Sequence, residues 1–287
     1  MLDRVDRVLL AVPDRHAAAT NFAELLGARS AREAPSRHLG ALRTIVSLGE
    51  SEVELCEPNG DGPIRRHMDR WGEGLFAGGL STPELPKLLD RLGALNVKVT
   101  RDGDQAFIAP TDAFGMNLVL SPSMRRDRAP GPANFLYEIT NTLVTDWRKV
   151  AARFAEMFGL DQARFSPIKS AKFGYEGTLT LFDPPARLDR IELSQVVDPN
   201  SAMGRFVAKR GDSLYMCYLD VEDVPDIVRR LDKARARWTP RTRDGKPERD
   251  GLWVHPSALN GLLLGISRRT LAWEWSGRPN LVEPLRA

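Results

Sequence analysis

The chain has 287 residues, 42% hydrophobic and 28% charged, a composition typical of a soluble globular protein of about two domains. Its 41 Lys and Arg residues nearly balance 38 Asp and Glu residues, so the net charge of +3 does not indicate a nucleic-acid partner. No apolar run approaches the roughly 18 residues of a membrane span, and the N-terminal apolar run is too short for a signal peptide. Cys56 and Cys217 lie in apolar runs, which predicts buried free thiols in a reducing compartment, with the cytoplasm as the expected location.

A repeat organises the sequence. The stretch Val5–Gly27 recurs as Tyr137–Gly159 at an offset of 132 positions. The matching pairs are Val12/Val144, Asp14/Asp146, Ala19/Ala151, Phe22/Phe154, Ala23/Ala155, Glu24/Glu156 and Gly27/Gly159. Each copy reads as an extended apolar run, a short turn at an Asp and an amphipathic helix that ends at a Gly. A repeat of this kind predicts a chain built from duplicated units.

The first half predicts two successive units, each a strand, a helix and further strands. The predicted strands are Arg7–Val12, Gly40–Leu48, Glu52–Cys56, Leu75–Ser81, Lys98–Val99, Gln105–Ala109 and Met116–Ser121. The predicted helices run from Asp14 to Gly27 and over Pro83–Leu95. Asn59–Pro63 separates the two units, and Ser123–Pro132, rich in Arg, Asp and Pro, reads as a linker between domains.

The second half repeats this plan with longer loops. Its predicted strands are Phe135–Val144, Thr178–Phe182, Asp189–Ser194, Leu214–Leu219, Gly251–His255 and Leu262–Ser267, and its predicted helices are Asp146–Phe158 and Asp223–Trp238. We therefore expect domains at residues 1–125 and 133–270 and a tail at 271–287, whose Trp273 and Trp275 dock on the body. The basic run Arg229–Arg249 is interpreted as a solvated helix face followed by a loop, with a phosphate or coenzyme contact as the alternative.

Several stretches resemble the vicinal oxygen chelate superfamily, the group of glyoxalase I, methylmalonyl-CoA epimerase, bleomycin-resistance proteins and extradiol dioxygenases. Val5–Gly27 is similar to its first strand and helix, SEVELCEP and DRIELSQ to its unit-closing strand, and WVHPSALNGLLLGIS to the His-Pro…Gly closing stretch of epimerase-like members. The resemblance implies an α+β fold of two tandem domains, each a pair of βαβββ modules that form a U-shaped mixed sheet with outer helices. The four-unit plan most resembles the extradiol dioxygenase layout.

The resemblance also implies where a metal ion belongs. In this superfamily a divalent metal lies in the concavity of the sheet, held by residues on the first and last strands of the units. The extradiol iron ligands correspond to Ile139, Met216 and Gly265, none of which is a metal ligand. Only Glu54 and Glu192 remain at such positions, whereas a catalytic metal generally needs at least three protein donors. We therefore expect the metal site to be lost, with no metal and no cofactor; an ion held by an unrelated set of ligands is the alternative.

The concavity of the second domain nevertheless keeps polar groups that suit proton transfer. Glu192 and His255 are the predicted base and acid, in either assignment, because burial raises a carboxyl pKa toward neutrality and histidine titrates there. Tyr218 is the predicted donor to a developing oxyanion. Alternation of side chains along the strands, counted from Ile139 and Met216, predicts which neighbours face the same pocket. The predicted substrate-binding residues are Asn141, Tyr137, Ser194, Met216 and Trp253.

Each candidate also has a purely structural interpretation. Glu192 reads equally well as a buried carboxylate satisfied by a hydrogen bond, and His255 before a proline as the end of a strand. The two tyrosines are often core aromatics with a satisfied hydroxyl. In the first domain, Arg7 and Glu54 are expected to form an ion pair, with the guanidinium where a metal would be, in preference to a site for a substrate carboxylate.

The leading functional prediction is a metal-independent enzyme of this superfamily, an isomerase or lyase that moves a proton on a small, partly apolar molecule, with aromatic molecules included. The alternatives are a non-catalytic binding or resistance protein of the bleomycin-binding type and a diverged extradiol dioxygenase. The expected partner is a small-molecule substrate or ligand, with no nucleic acid and no membrane. Both a monomer and a homodimer are compatible with the four-unit plan.

Overall fold

In a computed structural model, which describes residues 1–241 and 250–284, those residues form sixteen strands and six α-helices. The strands of the first half are β1 (Arg4–Ala11), β2 (Arg29–Ser36), β3 (Ala41–Leu48), β4 (Ser51–Pro58), β5 (Gly74–Thr82), β6 (Val99–Asp102), β7 (Gln105–Ile108) and β8 (Asn117–Pro122). Those of the second half are β9 (Ala133–Leu143), β10 (Ser166–Ser170), β11 (Tyr175–Leu181), β12 (Arg190–Val196), β13 (Ser213–Val221), β14 (Trp238–Pro240), β15 (Gly251–Val254) and β16 (Leu264–Arg268). The helices are α1 (Arg15–Leu26), α2 (Pro63–Trp71), α3 (Leu85–Ala94), α4 (Trp147–Phe158), α5 (Ala202–Arg210) and α6 (Val224–Lys233).

The strands form two eight-stranded sheets of the same topology, β2-β3-β4-β1-β5-β8-β7-β6 and β10-β11-β12-β9-β13-β16-β15-β14. At each centre the opening strands of two units pair antiparallel, β1 with β5 and β9 with β13. Each opening strand also pairs in parallel with the strand that closes its own unit. Each half is therefore a pair of βαβββ modules in one mixed sheet, which confirms the predicted α+β class.

The two copies of the repeat fold alike because the same residue types begin and end their helices. Asp14 accepts hydrogen bonds from the first backbone N–H groups of α1, and Asp146 does the same for α4. Both helices end at a glycine in the left-handed region, Gly27 with φ 69° and Gly159 with φ 64°. The predicted sequence repeat is thus a structural repeat.

Five elements were not predicted from the sequence, namely α2, α5, β2, β10 and β14. Residues Asn59–Pro63 read as a linker, yet Pro63 is the first residue of α2, a position where its missing N–H costs nothing. β2 has the polar sequence RSAREAPS, which lacks strand alternation. The sixth helix ends at Lys233 and not at Trp238, because the backbone turns at Arg235 with φ 53°.

One hydrophobic core lies between the two sheets and contains the apolar faces of α1, α3, α4 and α6. In this core α1 packs against α6 and α3 against α4. The sheets approach closely where Gly78 of β5 meets Ile139 of β9, since a Cβ on Gly78 would lie only 2.6 Å from the end of that side chain. The helices therefore lie on the face of each sheet that is turned toward the other sheet.

The opposite face of each sheet carries its own small apolar cluster. We call the face of the first sheet that carries Phe76 and Phe107 the N-terminal cup. The C-terminal cup is the face of the second sheet that carries Tyr137, Met216 and Tyr218. These two cups contain the larger candidate sites.

The segment after β16 packs against the C-terminal cup. Trp273 is 5% exposed and belongs to the apolar cluster of that cup, and the ring of Trp275 lies 3.6 Å from the guanidinium carbon of Arg241. None of the described helices has the length and apolar character that crossing a membrane requires. The division at residues 1–125 and 133–270 stays a prediction.

Candidate functional site

The strand register decides which side chains of β9 face the C-terminal cup. Thr140 lies opposite Met216 of β13, and Glu138 lies opposite Tyr218. Residues directly opposite each other in an antiparallel pair point to the same face, so Thr140 and Glu138 face the cup. The register then shifts by one residue, which brings Tyr137 to the same face as Glu138.

Ile139 and Asn141 face the other way. Ile139 packs against Gly78 in the core between the sheets. The side-chain amide of Asn141 donates to the backbone carbonyl of Phe114 at 2.9 Å. The predicted inward orientation of Asn141 is therefore wrong, because the count of alternate residues began at Ile139, which itself lies on the core side.

Four of the predicted site residues do come together. Glu192, Met216, Tyr218 and Trp253 line one cavity of about 340 Å³ in the C-terminal cup. The indole N–H of Trp253 donates to the Tyr218 hydroxyl at 3.0 Å. Further lining side chains are Thr140, Phe173, Tyr175, Met203, Tyr215 and Arg241. Lys172, Asp198 and Ser201 also line it, so the cavity combines five aromatic rings with charged and polar side chains.

Two other predicted residues lie just beneath this cavity. Tyr137 is fully buried, and its hydroxyl forms a hydrogen bond of 3.0 Å with the hydroxyl of Ser267. Ser194 is also fully buried and donates to the carboxyl group of Glu192. Both side chains therefore support the cavity from below.

His255 does not join the cavity. It follows β15, and its Nδ1 lies 2.9 Å from the hydroxyl of Ser257 and also accepts from the backbone N–H of that residue. This cap on a short 3₁₀ turn agrees with the structural interpretation of a histidine at the end of a strand. The predicted pairing of His255 with Glu192 is therefore absent.

The floor of the cavity contains a buried charge cluster. Arg190 and Glu138 are both fully buried, and Arg190 Nε donates to Glu138 Oε2 at 2.7 Å. Burial, and after it the negative charge of Glu138, raises the pKa of Glu192 well above its ordinary value. Burial and the neighbouring negative charge therefore favour the neutral form of Glu192, while the charge of Glu138 is matched by the guanidinium of Arg190.

Arg241 brings a second positive charge to the cavity wall. Its guanidinium carbon lies 3.6 Å from the ring centre of Trp275, 5.5 Å from that of Tyr218 and 5.6 Å from that of Trp253. Such aromatic faces stabilise a cation. No carboxylate of residues 1–241 or 250–284 lies within 4 Å of it, and its buried Nη1 has no hydrogen-bond partner. A buried N–H without a partner costs about 1–3 kcal/mol, so this wall is complementary to an anion.

The sequence contained a signal for only part of this cluster. Arg190 precedes Glu192 by two residues in a predicted strand, so alternation places both on one face. Glu138 was missed because counting alternate residues from Ile139 assigned Glu138 to the face of β9 that points away from the cup. Arg241 lies in the basic run that was read as helix and loop, of which residues 242–249 lie outside the described residues.

The N-terminal cup contains the expected ion pair between Arg7 and Glu54. Arg7 Nη1 lies 2.7 Å from Glu54 Oε1, and the guanidinium of Arg43 lies 2.7 Å from the other carboxylate oxygen. Gln105 also donates to Glu54. Three of the roughly four acceptor positions of this carboxylate are therefore used within the protein.

The residues of the cups do not fit an iron site. Across the described residues, no group of three or more His, Cys, Asp or Glu side chains is arranged to hold a metal ion. In the C-terminal cup Glu138 is bound by Arg190, burial favours the neutral form of Glu192, and Gly265 has no side-chain donor atom. A catalytic metal generally needs at least three donors.

Comparisons with known proteins identify the fold. No protein-family model and no curated protein sequence matches the chain. A triple mutant of 4-hydroxymandelate synthase from Streptomyces coelicolor is similar in structure, with a TM-score of 0.70 and 14% identity over 97% of this chain and 98% of that one. A xylose isomerase-like TIM barrel/4-hydroxyphenylpyruvate dioxygenase fusion protein has a TM-score of 0.60 and 13% identity over 94% of this chain and 49% of that one. The chain therefore has the fold of the vicinal oxygen chelate superfamily, as the sequence resemblance predicted.

Both of these structures are similar to nearly the whole chain. Methylmalonyl-CoA epimerase from Streptomyces coelicolor covers 43% of this chain, at 19% identity and a TM-score of 0.40. The prediction of a metal-independent isomerase or lyase is wrong, because the structures named above that are similar over nearly the whole chain are a synthase and a dioxygenase fusion protein. The acid and base roles of Glu192 and His255 were predicted as part of that isomerase or lyase reaction.

Proposed function

We propose that this protein binds a small aromatic carboxylate in its C-terminal cup, as a non-catalytic binding protein on a scaffold shared with dioxygenases. The observation that carries the proposal is Arg241, a cation at the cavity wall whose Nη1 lacks a hydrogen-bond partner. A ligand carboxylate supplies the missing acceptor and forms a charge-assisted hydrogen bond. The raised pKa of Glu192 favours its neutral form, and Glu138 is bound by Arg190, so these two carboxyl groups oppose the ligand little; the lining also contains one further acidic residue, Asp198, and one further basic residue, Lys172.

The shape and lining of the cavity favour an aromatic ring as the other part of the ligand. Its volume of about 340 Å³ is in the range of small-molecule sites. Tyr175, Tyr215 and Trp253 offer ring faces and edges that pack well against another ring. Phe173 lines the cavity and meets Trp253 edge-on at 5.8 Å between ring centres, while Phe173 itself is 39% exposed.

The test is a titration with 4-hydroxyphenylpyruvate, which joins an aromatic ring to a carboxylate. Binding is followed by calorimetry and by the fluorescence of Trp253 and Trp275. Arg241→Gln should weaken binding about 10- to 100-fold, the worth of one hydrogen bond to a charged group. Arg237→Gln is the matched control, because Arg237 is exposed and outside the cavity. Equal affinity for both variants, or no saturable binding by the wild type, would overturn the proposal.

A diverged dioxygenase is the second candidate, and the full-length likeness with a TM-score of 0.70 favours it. The two candidates differ in what happens to the bound probe. A binding protein returns 4-hydroxyphenylpyruvate unchanged after long incubation with ferrous iron and oxygen. A dioxygenase consumes oxygen in step with the probe, and an oxygen electrode measures this directly.

We further propose the partner, the location, the oligomeric state and the domain boundaries of the protein. Its partner is a small molecule and not nucleic acid or a membrane, its location is the cytoplasm, and it acts as a monomer or a homodimer. The sheets are assigned to domains at residues 1–125 and 133–270, with a tail at 271–287. Size-exclusion chromatography with light scattering measures the oligomeric state, and limited proteolysis within residues 123–132 tests the division into domains.

A further inference from the structure

A second cavity, of about 560 Å³, opens in the N-terminal cup beside α2. Its apolar floor consists of Phe76 and Phe107, which are 6% and 5% exposed. His67 meets the ring of Phe76 edge-on at 5.5 Å, and His38 lies 4.6 Å from the ring centre of Phe107. Four rings therefore shape the inner part of this cavity.

Both histidines of the cavity are neutral at physiological pH. Burial, and after it the positive charge of Arg210, lowers the pKa of His67 to about 4. Burial also lowers the pKa of His38. A neutral imidazole offers one N–H donor and one acceptor nitrogen, and neither ring forms a hydrogen bond with the part of the chain that the structure describes. The two imidazoles can therefore form hydrogen bonds with polar atoms at the edge of a ligand's ring.

The rim of the cavity is positively charged. Arg66 and Arg70 lie four residues apart on α2, hence on one side of the helix, and Lys98 also lines the cavity. Asp112 is the one acidic residue that lines the cavity within the described ranges. No carboxylate of those ranges forms an ion pair with any of the three cations. The rim therefore attracts anions from solvent.

The second half of the chain adds more positive charge at the same place. The ring of Trp71, which also lines the cavity, lies 4.6 Å from the guanidinium carbon of Arg70 and 4.5 Å from that of Arg210. The amino group of Lys209 lies 5.9 Å from that ring. These contacts fix one side of the rim, since a guanidinium over an indole face is held by cation–π attraction.

We propose that the N-terminal cup is a second binding site, for a planar aromatic molecule that carries phosphate. The ring packs on Phe76 and Phe107, its polar edge meets the two imidazoles, and the phosphate lies among Arg66, Arg70 and Lys98. A multiply charged phosphate matches several solvent-facing cations. The C-terminal cup differs, because there Arg190 is bound by Glu138 and the guanidinium of Arg241 is the group that matches a carboxylate.

The experiment is a fluorescence titration of the whole chain with an adenosine diphosphate that carries an N-methylanthraniloyl group, followed by competition with unlabelled adenosine diphosphate. The double variant Arg66→Glu/Arg70→Glu should weaken binding by more than about tenfold, because two phosphate contacts become repulsive. Arg65→Glu is the matched control, since Arg65 is exposed on the same helix but does not line the cavity, and its affinity should change by less than about twofold. Circular dichroism verifies that each variant is folded.

Four results would overturn the proposal. One is the absence of saturable binding, and another is equal weakening by Arg65→Glu and the double variant. A third is competition by adenosine or by inorganic phosphate alone that is as strong as competition by adenosine diphosphate. The fourth is loss of binding in Arg241→Gln, which would move the nucleotide to the C-terminal cup. Titration of the double variant with 4-hydroxyphenylpyruvate shows whether the C-terminal cup still binds its own probe. The failure of one proposal can then be distinguished from the failure of the other.

Discussion

Arg7 is the centre of a buried charge network beneath the N-terminal cup. Its guanidinium lies 2.9 Å from Asp6, 2.7 Å from Glu54 and 3.5 Å from Glu52, and its side chain is 4% exposed. The substitution Arg7→Met keeps the apolar stem of the side chain and removes only the charged head. Three buried carboxylates then lose one shared cation.

The cost of this change follows from the contacts that remain. Removing one partner of a buried ion pair costs about 3–5 kcal/mol, because the other charge stays buried. Arg43 still lies 2.7 Å from Glu54, and Arg126 still lies 3.0 Å from Asp6. We therefore expect a loss at the lower end of that range, about 3 kcal/mol in the free energy of unfolding.

Urea denaturation at pH 7 measures this loss, and Arg4→Met is the control on the same strand. Arg4 is 26% exposed and lies 3.3 Å from Glu50, so its ion pair is worth less than about 1 kcal/mol. If Arg7→Met loses no more stability than Arg4→Met, the reasoning about buried charge is refuted. A gain in stability would show that the buried charge network destabilises the folded state.

Three further predictions concern the floor of the C-terminal cup, the response to pH and the approach of the two sheets. Glu138→Gln should destabilise the protein by about 3–5 kcal/mol in urea denaturation, because it leaves a fully buried arginine without its carboxylate. Glu192→Gln should cost less than about 1 kcal/mol, because burial already favours the neutral form of this carboxyl group. Burial raises the pKa of Asp220 to about 6, so its protonation in the folded state adds stability as the pH falls through 6. The free energy of unfolding of the wild type, relative to that of Asp220→Asn, should therefore grow by about 2 kcal/mol between pH 7.5 and 4.5. A difference that stays constant over this pH range would contradict the prediction. Gly78→Ala should lower the free energy of unfolding by about 1–3 kcal/mol, because the new methyl group meets β9. Gly93→Ala should raise the melting temperature, because Gly93 lies in a helix with open space around it. A loss of stability in both variants would contradict the packing of the two sheets.

The duplicated architecture could be predicted because each module carries local signals. The Asp14 and Gly27 caps, and their counterparts Asp146 and Gly159, mark where two helices begin and end. Apolar runs marked the strands on both sides of these helices. Neighbouring residues alone determine such features, so one copy of the pattern is enough to recognise them.

The candidate site was harder to predict because it depends on contacts between distant segments. The register shift between β9 and β13 brings both Tyr137 and Glu138 into the cup, and simple alternation cannot anticipate it. Arg241 was hidden in a basic run because its role depends on Trp275, which is distant in sequence. The loss of His255 from the site has the same origin, since its distance from Glu192 is set by how β15 and β12 are arranged in the sheet.

The central claim is that the C-terminal cup holds an aromatic carboxylate through Arg241. A crystal structure of the chain with 4-hydroxyphenylpyruvate tests it most directly. The account predicts a carboxylate oxygen about 3 Å from Arg241 Nη1, with the ring packed against Trp253. A ligand bound outside this cavity, or an iron ion coordinated by the side chains of the cup, would contradict it.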